Sequence, residues 1–90
     1  MEIFMARYLE EYFDIEYNLL NTLFKNKPAW INVNEACNNA LQRGLGACQL
    51  AQHCDNGLSS DDAQSLYWKF YREIENLRMT SHLFCNQNEN

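Results

Sequence analysis

A row of small side chains in the middle of this chain limits how it can fold. Ala36, Ala40, Gly44 and Cys48 recur every four residues, a spacing that places them on one face of an α-helix. Glycine inside a helix costs about 1 kcal/mol relative to alanine, so Gly44 and its neighbour Gly46 favour a face that other helices approach closely. We therefore expect a slim central helix packed between bulkier ones.

Helical periodicity and capping residues divide the chain into three segments. Pro28 ends the first helix, because proline lacks a backbone donor and disfavours helical geometry before it. Asn32 followed by Glu35 predicts the N-terminus of a second helix. Ser59 or Ser60 caps a third helix, whose first turn is acidic. The predicted helices span residues 2–26, 33–54 and 60–85.

The fold class follows from these segments and their short connections. No stretch of the chain alternates as a half-buried strand does, so we predict an all-α fold, a small antiparallel three-helix bundle. Residues 1–86 form the single helical domain, and residues 87–90 form a disordered tail. Asn56 or Gly57 is expected to end the second helix with a left-handed backbone. A break of that helix within residues 43–46 is the alternative.

The charge balance excludes some classes of function. Twelve acidic residues against seven basic ones give a formal charge of −5, which disfavours a protein that neutralises phosphates, so we expect no nucleic-acid binding. The N-terminal segment has neither the basic start of a signal peptide nor the apolar length of a membrane span. We expect a cytoplasmic protein that does not contact a membrane, with reduced thiols.

The cysteines are not spaced to share a metal ion. Cys37 and Cys48 share a helix face but lie eleven residues apart, which is about 16 Å along a helix. The sulfur ligands of one zinc ion must all lie about 2.3 Å from it. We therefore predict no metal and no cofactor, and we expect the four thiols, including Cys54 and Cys85, to pack as small apolar side chains.

No catalytic motif stands out, and we do not expect an enzyme. Arg78 and His82 lie four residues apart on the third predicted helix. The pair resembles the Arg and His of HEPN-type ribonucleases, although that family's motif has more residues between the two. The other interpretation is a pair of surface cations near a helix C-terminus, where positive charge is favoured.

Glu16 falls in the middle of the apolar arc of the first helix. This arc is wider than a helix needs to face one core. A buried carboxylate requires a partner, so two interpretations stand. Glu16 accepts hydrogen bonds from a Tyr or Arg of its own fold, or this face of the helix meets another protein.

A stripe on the outer side of the third helix is the predicted contact surface. Trp, Met and Arg are enriched where proteins meet, and a solvated face rarely carries the first two. The alternative is that this stripe packs on residues 28–31 or on the N-terminus. The stripe consists of Trp68, Arg72, Glu75, Met79 and His82.

Acidic residues are expected to make one end of the bundle negative, and a negative patch speeds the capture of basic partners. We therefore predict an immunity-protein or antitoxin type of inhibitor, which occludes a partner protein such as a basic nuclease toxin. The alternative is an oligomeric adaptor or regulatory subunit that forms a homodimer through the first and third helices. The acidic residues concerned are Glu10, Glu11, Asp14, Asp61 and Asp62.

Overall fold

The described part of the chain forms three helices, and each contacts the other two. In the computed structural model, α1 spans Glu2–Asn26, α2 spans Val33–His53 and α3 spans Ser60–Asn88. The structure describes the backbone of residues 2–26 and 31–88, and the side chains of residues 5–26 and 31–81. The bundle is a rod of 52 × 17 × 17 Å. The predicted all-α antiparallel three-helix bundle is confirmed.

The helix ends follow the capping residues. The Asn32 side chain accepts a hydrogen bond from the backbone N–H of Glu35 at 3.0 Å, and the Ser59 hydroxyl accepts one from the N–H of Asp62 at 3.2 Å. Helix α2 is continuous, so the alternative of a break within residues 43–46 is wrong. Helix α3 is helical through residue 88 rather than 85. Residues 87 and 88 of the predicted tail are therefore helical. Residues 89–90 lie outside the described part of the chain, so their disorder stays a prediction.

The turn between α2 and α3 is fixed by backbone geometry. Asn56 takes the left-handed conformation with φ 58°; it is one of the two residues predicted to end α2 in this way. The N–H of Leu58 donates to the carbonyl oxygen of Ala51 at 2.9 Å. Gly57 is required for a different reason, because a Cβ there would overlap that same carbonyl oxygen.

The middle of the core is built around Gly44. The rings of Phe13 and Phe70 stack with centroids 4.3 Å apart and an interplanar angle of 9°. A Cβ on Gly44 would lie 2.8 Å from Cε2 of Phe70 and 3.2 Å from Cε1 of Phe13, so the two rings lie directly against the α2 backbone. A Cβ on Gly46 would meet nothing within 4 Å. The expected close approach is confirmed at Gly44 and is wrong at Gly46.

Candidate protein-binding surface

The outer side of α3 exposes large apolar side chains of the predicted stripe. Trp68 is 54% exposed and Met79 is 66% exposed, and Arg72 is exposed between them. Glu75 is only partly exposed, and the side chain of His82 lies outside the described residues. We call Trp68, Arg72 and Met79 the α3 stripe.

The ring of Trp68 has a restrained orientation. It stands edge-on to Tyr71, with centroids 5.3 Å apart, and to Tyr67, with centroids 5.6 Å apart. Both tyrosines are partly buried against the core, and burial is the main reason why the pKa of Tyr67 is raised. An aromatic side chain that is already held in place loses little conformational freedom when a partner covers it.

A groove between α1 and α3 collects acidic side chains. Its volume is about 70 Å³. None of its carboxylates forms an ion pair with a described residue, so its three carboxylates and one ammonium group leave it negative. The groove is lined by Glu10, Phe13, Asp14, Leu66, Lys69, Phe70 and Glu73.

The predicted acidic residues do not all face this groove. Glu10 and Asp14 line it, together with Glu73 of α3, which the sequence analysis did not predict. Glu73 follows Lys69 by four residues, a spacing that places both on one face of the helix and could have identified it. Asp62 precedes Lys69 by seven residues, or two helical turns, so it lies on the same side of α3. By the same spacing, Asp61 lies in line with Trp68.

Glu11 is exposed but is not among the residues that line the groove. Its place on the helix explains why. Glu11 is offset by about 100° from Glu10 around α1, so it points away from α3. Of the three acidic residues predicted on α1, Glu11 therefore belongs to a different surface.

Glu16 has its partners inside the bundle. Its carboxylate accepts hydrogen bonds from Arg43 Nε at 2.6 Å and Nη2 at 2.9 Å, and from the Tyr12 hydroxyl at 2.9 Å. The hydrogen bonds from Arg43 are the main reason why the pKa of Glu16 is lowered, although burial opposes them. The interpretation that its own fold satisfies Glu16 is confirmed. Contact of Glu16 with another protein stays a prediction, and the geometry gives no independent reason for it.

Arg78 ties α3 to α2. Its Nη1 donates to Asn34 Oδ1 at 3.1 Å, and its Nη2 donates to Asn38 Oδ1 at 2.8 Å and to Glu75 Oε2 at 3.0 Å. Only 18% of its side chain is exposed, so the interpretation of Arg78 as a surface cation is wrong. Because both terminal nitrogens are used within the fold, the structure adds nothing to the resemblance to HEPN-type ribonucleases.

Of the three cysteines whose side chains are described, Cys37 and Cys48 are buried, and neither forms a disulfide. Burial raises the pKa of Cys37 and of Cys48 to about 11, so both stay protonated at neutral pH and neither is a ready nucleophile. The expectation of buried thiols is confirmed for these two and is wrong for Cys54, which is exposed. The side chain of Cys85 lies outside the described residues. Across the described side chains, no three His, Cys, Asp or Glu residues are grouped to hold a metal ion.

Comparisons with protein-family models, with curated proteins and with solved structures found no match to this chain. Among the helices as described, none has the length and apolar character to cross a bilayer.

Proposed function

We propose that this protein binds another protein through the α3 stripe and occludes the surface it covers. The observation that carries the proposal is Trp68, which is 54% exposed and is oriented by two tyrosines. Tryptophan at the centre of an interface commonly contributes a large share of the binding free energy. Arg72 beside it is another residue type that interfaces concentrate.

The acidic groove supports a partner with a basic surface. Trp68 and Lys69 are consecutive, so the stripe and the groove occupy neighbouring sides of α3, about 100° apart. A protein that covers the outer side of α3 would meet both. Carboxylates that outnumber the nearby cations attract basic sites and repel acidic ones. We propose, as the finer form of this function, an immunity-protein or antitoxin type of inhibitor whose partner is a cytoplasmic nuclease toxin with a basic phosphate-binding site.

Trp68→Ala is expected to weaken binding of the partner by about 30-fold, because removal of a central tryptophan costs about 2 kcal/mol or more. The immobilised protein would first capture its partner from the source cells, and the dissociation constants would then be measured with both proteins purified.

Leu50→Ala is the matched control, because Leu50 is 69% exposed but lies on α2. It should bind as the wild-type protein does. Equal affinity of the wild-type protein and Trp68→Ala would exclude the α3 stripe as the interface. A captured partner that has no basic surface and no nuclease activity would reject the toxin-inhibitor form and leave the docking surface standing.

The association rate with the partner is expected to fall as salt rises. The Debye length shrinks from about 30 Å at 0.01 M to about 8 Å at 0.15 M ionic strength, so the acidic groove attracts over a shorter distance. Stopped-flow kinetics across this range would measure the rate. Asp14→Asn should slow association at low salt, whereas Glu11→Gln, which removes the same charge outside the groove, should have the smaller effect. A rate that does not depend on salt contradicts the electrostatic part of the proposal.

A further inference from the structure

One side of α1 carries apolar residues that its own bundle leaves uncovered. Tyr8 is 53% exposed, Ile15 is 58% exposed and Leu19 is 63% exposed. Tyr12, which is partly buried, lies between the first two. The four residues follow one another at steps of four, three and four, which is the spacing of the seam along which two helices pack. We call these four residues the α1 seam.

The α1 seam lies on the side of α1 that adjoins α2. The Tyr12 hydroxyl contacts Glu16, and Glu16 in turn binds Arg43 of α2. The groove toward α3 is lined by other α1 residues, Glu10 and Asp14. A partner on the α1 seam therefore leaves the α3 stripe uncovered, and the inference drawn from the seam is independent of the proposed function.

Charged residues flank the seam in a regular order. Glu11, Asn18 and Lys25 are exposed and lie seven residues apart, so they form a line along one edge of the seam. The acidic residue lies in the N-terminal half of the helix, and the basic residue lies in its last turn. On the other edge, the charge of Arg43 is matched by Glu16.

We propose that a second copy of this chain packs on the α1 seam, with the two α1 helices antiparallel. The register that brings Ile15 of one copy against Leu19 of the other forms two symmetric apolar layers. It also places Glu11 opposite Lys25 of the second copy, with an axial offset of about 3 Å. The two-fold symmetry repeats this pair.

The order of charges selects this arrangement. A parallel pair would bring opposite edges of the two seams together and leave Glu11 and Lys25 about 21 Å apart along the axis, so these two opposite charges would not meet. In the antiparallel pair, both flanking contacts join opposite charges, and Asn18 meets Asn18 without a charge. The seam of a single helix is small beside the 1,200–2,000 Å² that stable interfaces typically bury, so we expect a reversible dimer with a dissociation constant on the order of micromolar.

Sedimentation equilibrium of the full chain from about 1 µM to 1 mM tests the proposal, with a reversible monomer–dimer equilibrium as the expected result. Leu19→Ser should raise the dissociation constant by about 100-fold, because each substitution acts at two symmetric positions. Met79→Ser is the matched control, since Met79 is 66% exposed on the α3 stripe, and it should leave the dimer intact. A monomer up to the highest concentration overturns the proposal, as does a dimer that Met79→Ser dissociates and Leu19→Ser does not.

Charge reversal tests the orientation. Glu11→Lys and Lys25→Glu should each weaken the dimer by about tenfold, because each converts both flanking attractions into repulsions. The double variant restores opposite charges at both positions and should dimerise as the wild-type chain does. Circular dichroism would establish that each variant keeps its helices. Single variants that dimerise as tightly as the wild-type chain would show that the antiparallel register is wrong.

Discussion

Gly44→Leu is expected to lower the free energy of unfolding by more than about 3 kcal/mol, because the core has no space for a side chain at this position. A Cβ alone would lie 2.8 Å from the Phe70 ring and 3.2 Å from the Phe13 ring. These rings are stacked and buried, so neither can move aside without losing its contacts. Urea denaturation followed by circular dichroism would measure the loss.

Gly46 provides the matched control on the same helix. A Cβ there meets nothing within 4 Å, so Gly46→Ala should raise the free energy of unfolding by about 1 kcal/mol through helix propensity alone. Gly44→Ala, which gains the same propensity, should still be destabilised by about 1 kcal/mol through overpacking. If both alanine variants were stabilised equally, the close approach at Gly44 would be disproved.

Arg43→Met is expected to lower the free energy of unfolding by about 2 kcal/mol at neutral pH, because it leaves a buried carboxylate without its counter-charge. The Arg43 side chain is itself 51% exposed, so solvent weakens the pair and limits the loss. Glu16 is only 6% exposed, and it would keep only the hydrogen bond from Tyr12. Thermal and urea denaturation near pH 7 would measure the loss. The double variant Glu16→Leu/Arg43→Met should be more stable than Arg43→Met alone, because it no longer buries a charge.

This loss should depend on pH with a defined sign. In the wild-type protein, the pKa of Glu16 is lowered from its ordinary value of 4.5, chiefly by the hydrogen bonds from Arg43. The ion pair therefore stabilises the fold above about pH 4.5 and loses this effect as the pH falls through the folded-state pKa. Without Arg43, burial dominates and raises the pKa of Glu16, so the variant loses stability as the pH rises. The difference in stability should shrink from pH 7 to pH 3; a constant difference would contradict this explanation.

The helix bounds could be predicted because their causes are local. The Asn32 and Ser59 caps each bond a backbone N–H three residues away, and the apolar period of each helix is visible in its own segment. The pair of Glu16 and Arg43 is separated by 27 residues, and no local pattern connects them. The same holds for the bonds from Arg78 to α2. Such contacts depend on how each helix is rotated about its axis, and the two short connections do not fix that rotation.

The sequence predicts only part of the candidate binding surface. An outward-facing Trp68 follows from the helical period of α3, because the core face of that helix is clear from its sequence. The composition of the groove does not follow, because it depends on which flank of α3 meets α1. Two arrangements of opposite handedness share one sequence pattern and place different acidic residues together. Glu73 was missed for this reason, and Glu11 was grouped with residues on another surface.

The stacked rings at Gly44 draw one residue from each of the three helices, and this limits how far the molecule can be trimmed. A synthetic peptide copied from α3 would contain Trp68 with Tyr67 and Tyr71, but those tyrosines are positioned by the core that they pack against. Most of the stability of a helix within a protein comes from the tertiary packing of its apolar face, which an isolated peptide lacks. The proposed recognition element therefore needs the whole folded chain, and a fragment or mimetic of α3 would have to supply the missing scaffold by other means.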